Sequence, residues 1–110
     1  MKFFKNIILV FFFSILISNS GSIVGTVIDS DTHQPIIGAN IIVLPLEIGA
    51  NTDENGEFFI QKIPVGSYSV LASIIGYEKI TKVNIDIFSD KQSPIKFLLN
   101  PSFLESKEVL

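Results

Sequence analysis

The sequence predicts an all-β domain, a seven-stranded antiparallel sandwich, that follows a helical signal peptide. Runs rich in β-branched and aromatic residues are separated by turn residues at intervals of about 8 to 12 residues, a spacing typical of sandwiches. From Ser67 to Ile75 the side chains alternate, with Tyr68, Val70 and Ala72 on one face, and this period of two indicates a half-buried strand. No segment after the signal has helical periodicity.

The first 20 residues have the order of a secretory signal: positive charge, apolar run, then small residues. Lys2 and Lys5 precede an apolar run from Ile7 to Ile17, and Ser18 to Ser20 follow it. A transmembrane anchor, the alternative, needs about 20 apolar residues, more than this run provides. We therefore expect a signal peptide over residues 1–20, a domain over 21–100 and a tail or linker over 101–110. The sequence has no Cys, so we expect neither a lipoprotein anchor nor disulfides.

Turn residues separate the predicted strands. A polar loop with Pro35 follows the first strand, Pro45 closes the second, and Asn55 with Gly56 precedes the fourth. Asn-Gly accepts the positive φ angles of tight turns. Pro64 and Gly76 end the fourth and fifth strands. The seven predicted strands are Ile23 to Ile28, Ala39 to Leu44, Ile48 to Asn51, Phe58 to Ile63, Ser67 to Ile75, Val83 to Ile87 and Ile95 to Leu99.

Alternation within these strands predicts which side chains face the interior. Each large apolar side chain that is fully buried stabilises the fold by about 1.5 to 3 kcal/mol. The predicted inward residues are Val27, Ala39, Ile41, Val43, Phe58, Ile60, Tyr68, Val70, Ala72, Ile74, Val83, Ile85, Phe97 and Leu99. Phe59 and Ile42 fall on the opposite faces of their strands. They are either exposed for contact with a neighbouring domain or partly covered by loops or the tail.

The charge of the chain argues against a nucleic-acid partner. The net charge is −3 and becomes −5 once the two lysines of the signal are removed, and the chain has no Arg. Binding to phosphates requires clustered cations.

The acidic turn and the single His are the two candidate sites in the sequence. Asp53, Asn55 and Glu57 surround a Gly turn, but a calcium loop needs more ligands, so a hairpin with Asx-type turn bonds is the better interpretation. His33 is the only His, and we expect it to be a solvated loop residue because no metal or triad partners occur at suitable spacings. We therefore predict no catalytic, cofactor-binding or metal-binding residue, no cofactor and no enzymatic activity.

A series of motifs resembles the carboxypeptidase-regulatory-like domain, a transthyretin-like β-sandwich. The resemblance covers residues 22–100 and is carried by the order and spacing of the motifs. They are GxVxD at Gly25–Asp29, PIIGANIIV at Pro35–Val43, NTDENGEFFI at Asn51–Ile60, IPVGSYSV at Ile63–Val70 and IIGYEK at Ile74–Lys79. A zinc carboxypeptidase would need at least two His and a Glu, and the transthyretin-like hydrolases rely on His and Arg. The resemblance therefore implies a non-catalytic domain.

Domains of this type often precede the plug and barrel of TonB-dependent outer-membrane receptors. Residues 104–110 are similar to the segment that leads into the plug, although no barrel is encoded in this sequence. The resemblance implies an accessory domain in the periplasm or outer membrane of a Gram-negative bacterium. Its expected partner is a protein or a neighbouring receptor domain, with membrane association through the missing barrel. The alternative is a stand-alone secreted or surface module that binds carbohydrate or protein.

Overall fold

The computed structural model describes residues 19–102, which form seven strands in two sheets. The predicted signal peptide up to residue 18 and the tail from residue 103 lie outside the described residues. The strands are β1 (Ser20–Asp29), β2 (Asn40–Leu44), β3 (Ile48–Asn51), β4 (Glu57–Pro64), β5 (Gly66–Ser73), β6 (Ile80–Ile87) and β7 (Gln92–Leu99). The predicted seven-stranded sandwich is confirmed.

One sheet has the strand order β4-β1-β7 and the other has the order β3-β2-β5-β6. All strand pairs are antiparallel except β1 with β7, which are parallel. The expectation of a wholly antiparallel sandwich is therefore corrected at this one pair. Successive strands reverse direction along the chain, so the first and the seventh run the same way and are parallel once the fold places them side by side.

The core lies between the two sheets, where Ile23, Val27, Ile41, Val70 and Phe97 are completely buried. Most of the predicted inward residues are buried, and Tyr68, Ile74 and Ile85 are half-buried against the core. Further core residues that the prediction omitted are Ile23, Ile36, Ile63, Ile87 and Ile95.

Val83 was predicted to face inward, and the structure shows that this is wrong, because its side chain is 61% exposed. The register between β5 and β6 shifts at this point, and Asn84 has a φ of 58°. An extra residue in one strand reverses the alternation beyond it. As a result Ile85, after the bulge, packs against the core. Lys82, which precedes the bulge in the chain, has its Nζ 5.5 Å from the centroid of the Phe97 ring.

The chain enters the sandwich at one end and leaves it at the other. At entry, Ser20 pairs with Pro64, and its carbonyl accepts a hydrogen bond of 2.9 Å from the backbone N–H of Asp90. At exit, Pro101 forms a bridge with Tyr77, and the N–H of Ser102 donates to the carbonyl of Gly76 at 2.8 Å. The backbone contacts of the sandwich thus extend to Ser102.

Candidate functional site

The outward side of the three-stranded sheet carries a row of apolar side chains, with one residue from each strand. Alternation along β1, β4 and β7 sends every second side chain into the core and the others outward. Val24 lies opposite Phe59 on one side and Pro94 on the other. Phe59 is 48% exposed. We call Phe59, Val24 and Pro94 the apolar row.

A polar row runs beside the apolar row on the same sheet. Thr26 lies opposite Glu57 on β4 and Lys96 on β7. Glu57 and Lys96 are exposed and Thr26 is half-buried. Together the two rows place an aromatic surface next to a hydroxyl, a carboxylate and an ammonium group.

These rows lie in an open cleft of about 840 Å³, which we call the outer-face cleft. This volume falls within the range of about 300–1,000 Å³ seen for ligand sites. Its further wall is formed by Ala50 and Asn51 at the end of β3, with Asp53 beside them. The lining residues are Val24, Gly25, Thr26, Ala50, Asn51, Asp53, Glu57, Phe58, Phe59, Pro94, Ile95 and Lys96.

Phe59 and Ile42, which the sequence placed on outward faces, have different surroundings. Phe59 lies in the outer-face cleft, whereas Ile42 belongs to the middle of the four-stranded sheet and is only half-buried. Single exposed apolar residues are common on protein surfaces and indicate little by themselves. An exposed aromatic residue within an apolar cleft is more informative, because exposed apolar patches often mark binding sites.

The acidic turn at the rim of the cleft makes the predicted Asx-type bonds, but it is not a hairpin, because it connects β3 and β4, which belong to different sheets. The Oδ1 atom of Asp53 accepts hydrogen bonds of 2.9 Å from the backbone N–H groups of Asn55 and Glu57. Gly56 has a φ of +73°, the left-handed conformation expected of it. Within residues 19–102, no three His, Asp or Glu side chains are grouped so that they could hold a metal. His33 is exposed in the loop after β1.

At the end of the sandwich where the chain leaves, the carboxylate of Asp29 forms a polar anchor that the sequence did not reveal. One oxygen accepts hydrogen bonds from the backbone N–H groups of Asp31 and Thr32, at 2.7 and 3.0 Å. The other accepts a hydrogen bond of 2.6 Å from the hydroxyl of Tyr77. Asp29 closes the GxVxD motif and Tyr77 lies in IIGYEK, so this bond joins two motifs that are 48 residues apart.

This geometry shifts the pKa values of both side chains. The hydrogen bond from Tyr77 and the backbone N–H groups lower the pKa of Asp29, although burial acts in the opposite direction. The same bond, burial and the negative charges of Asp29 and Asp31 raise the pKa of Tyr77. The lowered pKa favours the ionised form of Asp29, which accepts all three of these hydrogen bonds.

We expect Tyr77→Phe to lower the thermal midpoint at neutral pH, and the loss to shrink in acid. An aspartate has an ordinary pKa of about 4. Because folding lowers the pKa of Asp29, its contribution to stability is present above that pH and is lost as the pH falls through the lowered value. The measurement is the thermal midpoint of the native chain and the variant across this pH range.

The matched control is Tyr68→Phe, because the hydroxyl of Tyr68 donates to an uncharged acceptor, the carbonyl of Pro64, at 2.7 Å. We expect its effect on the midpoint to be independent of pH. A Tyr77→Phe effect that is also constant with pH would contradict the assigned role of Asp29.

Comparison with known proteins identifies the family. The model of the CarboxypepD_reg-like domain matches residues 23–110. This chain belongs to that family. The matched range contains all the motifs quoted above, and the bond between Asp29 and Tyr77 links the first of them to the last in this CarboxypepD_reg-like domain. Among proteins with curated descriptions, none matches the chain.

Solved structures share the fold at low sequence identity. A type II cohesin–X-dockerin complex from Acetivibrio cellulolyticus has 22% identity and a TM-score of 0.60, covering 72% of this chain and 56% of that one. A putative carbohydrate-binding protein from Bacteroides uniformis has 13% identity and a TM-score of 0.58, covering 76% and 42%. A 3-chlorocatechol 1,2-dioxygenase from Rhodococcus opacus has 14% identity and a TM-score of 0.58, covering 77% and 61%.

This chain therefore spans less than two thirds of each of these proteins. Because the shared sandwich occurs in interaction proteins and in an enzyme, the fold alone does not decide the function. Within residues 19–102, no helix is long and apolar enough to cross a membrane.

Proposed function

We propose that this CarboxypepD_reg-like domain is an exported, non-catalytic accessory domain that binds a protein through the outer-face cleft. The observation that carries the proposal is the exposed ring of Phe59 within an apolar row on an open sheet face. Aromatic residues at the centre of an apolar patch are frequent anchors of protein–protein contacts. The resemblance to the N-terminal domains of TonB-dependent receptors makes a neighbouring receptor domain the first candidate partner.

The charge around the cleft also favours a protein partner. Asp53 and Glu57 make one side of the rim acidic, and Lys96 is the cation among the residues that line the cleft. A chain with a net charge of −3 and no Arg is a poor match for the phosphates of a nucleic acid. Its export would place this surface in the periplasm or at the outer membrane.

Carbohydrate is the second candidate ligand, and the polar row is the observation that favours it. A sugar ring that packs on Phe59 would lie beside the hydroxyl of Thr26 and the charged groups of Glu57 and Lys96. The similarity in fold to a putative carbohydrate-binding protein is consistent with this alternative. The domain would then be a stand-alone secreted or surface module.

The proposal is tested by a photo-crosslinking amino acid placed at position 59 in cells that express the full chain. We expect an adduct with a TonB-dependent receptor in the outer-membrane fraction, identified by mass spectrometry. The same amino acid at position 75 is the control, because Ile75 is 92% exposed but does not line the cleft. The receptor proposal fails if position 59 gives no adduct, or gives only adducts that position 75 also gives.

Fractionation of the same cells, with mapping of the N-terminus, tests the export that this function requires. We expect the domain in the periplasm or outer membrane, with a new N-terminus close to Ser20. Ser20 is the first residue of β1, and its carbonyl accepts a hydrogen bond from Asp90 in the folded sandwich. The peptide bond after Ser20 is therefore part of a strand once the domain has folded, so we expect cleavage there to take place before β1 forms. Recovery in the cytoplasm with Met1 retained would contradict export, and recovery in the medium would favour the stand-alone module.

A further inference from the structure

We propose that an extended segment of the partner pairs with the free edge of β4 and lies in the outer-face cleft as an additional strand. This inference rests on the proposed function, because it specifies how the same cleft binds a protein. The interaction would combine backbone hydrogen bonds from β4 with contacts between side chains and the apolar row, a known mode of peptide recognition.

The hydrogen bonds of Glu57 show which backbone groups of β4 lie on its outer edge. Its N–H donates to Oδ1 of Asp53, and its carbonyl accepts from the N–H of Asp53, both at 2.9 Å. These groups therefore point away from β1. In an antiparallel pair the direction of the backbone groups repeats every second residue, so the N–H and carbonyl of Phe59 also point away from β1, toward the open edge.

Among residues 19–102, the hydrogen bond from Tyr68 to the carbonyl of Pro64 joins the far end of β4 to the other sheet, and no such bond is made by the stretch from Phe59 to Lys62. Among residues 19–102, no hydrogen bond joins β3 to β4 along their neighbouring edges. Asp53 already occupies the groups of Glu57, so the free part of the edge begins at Phe59. It ends near Lys62, where the register with β1 shifts and φ is 60°. The available edge is short, and we expect the pairing to be correspondingly weak.

The opposite side of the sandwich is closed by side chains, which makes the open side distinctive. There the Nζ of Lys82 on β6 donates to the carbonyl of Lys96 on β7 at 2.6 Å. The hydroxyl of Ser93 on β7 donates to the carbonyl of Asp86 on β6 at 2.8 Å. Unpaired strand edges attract other chains, and proteins commonly protect them with lysines and bulges. The β6–β7 side has Lys82 and the bulge at Asn84, and the β4 edge has Lys62 at its own irregularity, so the two sides differ in the hydrogen bonds that close only the β6–β7 side.

The cleft extends past the free edge of β4. Ala50 and Asn51 of β3 line it on one side of β4, and Val24 and Pro94 line it on the other. A strand added beside β4 would therefore lie within the cleft. Its alternate side chains on the outward side would meet the exposed ring of Phe59.

The charge of the rim indicates the kind of segment that fits. Because Asp53 and Glu57 lie where the edge of β4 begins, a Lys or Arg at that end of the segment would be attracted to them. We therefore assign as occupant an extended polypeptide segment with apolar residues at alternate positions and a basic residue at one end. A second copy of this chain, which has Lys62 near the end of its own β4, is the other occupant that the test distinguishes.

The test uses a fluorescein-labelled peptide of alternating valine and threonine that ends in lysine, with the protein recovered from cells expressing the full chain. Two derivatives carry N-methyl groups on one or the other alternate set of residues. N-methylation removes the N–H donors of one edge of the peptide only. We expect one derivative to bind about tenfold more weakly by fluorescence anisotropy and the other to bind as the parent does, since tenfold corresponds to about 1.4 kcal/mol, the upper part of the range for one lost hydrogen bond.

Two variants test the edge from the side of the protein. Phe59→Ala removes the ring and keeps the backbone N–H, whereas Phe59→Pro removes both, and proline is tolerated on edge strands. We expect Phe59→Pro to bind the peptide more weakly than Phe59→Ala, with both variants retaining a cooperative thermal transition. If Phe59→Pro does not fold, the comparison of the two N-methylated peptides decides alone.

Equal binding of the two methylated peptides would overturn strand addition and leave a cleft that binds through side chains, as the proposed function requires. Absence of binding by the parent peptide would also overturn strand addition. The proposed function would then still be tested by the crosslinking experiment at position 59. If the parent peptide does not bind and the chain is a dimer in solution, the free edge is assigned to a second copy, and the inference is likewise overturned.

Discussion

Phe58→Ala is expected to lower the free energy of unfolding by about 3 to 5 kcal/mol. The Phe58 side chain is 4% exposed, and its ring lies 6.4 Å from that of Phe97, centroid to centroid. Truncation removes apolar contacts at the middle of the sandwich and leaves a cavity. Because small domains have total stabilities of about 5 to 15 kcal/mol, the variant would be at best marginally folded. Urea denaturation measures the loss as a lower midpoint.

Phe59→Ala is the matched control, since it makes the same chemical change at the next residue of the same strand. Phe59 faces outward and is 48% exposed, so we expect a loss of at most about 0.5 kcal/mol, as for ordinary surface changes. Equal shifts in the urea midpoint of the two variants would contradict the assignment of the inward and outward faces of β4. Because Phe59→Ala leaves the core intact, it is also the appropriate variant for binding measurements.

Gly25→Ala is expected to cost more than its single methyl group suggests, at or above the upper end of the range of about 1 to 3 kcal/mol for overpacking. A Cβ atom at this position would lie 2.1 Å from the carbonyl oxygen of Ile95 and 2.8 Å from Cζ of Phe58. The carbonyl belongs to the backbone of the neighbouring strand and cannot rotate away as a side chain would. The added methyl group must therefore separate β1 from β7 or displace the Phe58 ring.

Thermal unfolding and amide chemical shifts measure this effect, and we expect a lower midpoint with the largest shift changes around Ile95. Gly66→Ala is the control, because its Cβ would have as nearest neighbour the hydroxyl oxygen of Tyr68, at 3.3 Å. We expect the midpoint to change less for Gly66→Ala than for Gly25→Ala. A Gly25→Ala variant as stable as the native chain would show that the strands separate at little cost.

Both large effects concern the floor of the outer-face cleft, since Gly25 and Phe58 line it from beneath. Phe58 packs inward on the opposite side of β4 from the exposed ring of Phe59. The rigidity of the binding surface thus depends on the core directly below it. Changes at Gly25 or Phe58 would weaken binding through the fold, whereas changes at Phe59 act on the surface itself.

The sequence predicted features that depend on residues close together in the chain. The alternation in β5 identified Val70 and Ala72 as inward, and both are fully buried. The Asx-type bonds of the Asp53–Glu57 turn were predicted from its turn residues, and Asp53 makes them, although the turn crosses between the two sheets and does not close a hairpin. A period of two and the chemistry of a turn are local properties, because the same few residues that carry the signal also make the structure.

The prediction was wrong where the outcome depended on which strands became neighbours. Val83 appeared inward by counting along its own strand, but a bulge opposite β5 reversed the alternation. The parallel pairing of β1 with β7 and the bond between Tyr77 and Asp29 likewise join segments that are distant in the chain. The motifs of the family resemblance include both Asp29 and Tyr77, but they do not indicate that the two side chains are in contact.

The sequence by itself therefore determined the all-β class, the number and approximate positions of the strands, most of the inward faces and the family to which the chain belongs. Only the tertiary structure decided the outer-face cleft, because the register of three strands aligns Phe59, Val24 and Pro94. It also decided that one side of the sandwich is closed by Lys82 and Ser93 while the edge of β4 stays open. The physical reason is that register and exposed edges arise from pairing between distant strands, which alternation within a single strand does not encode.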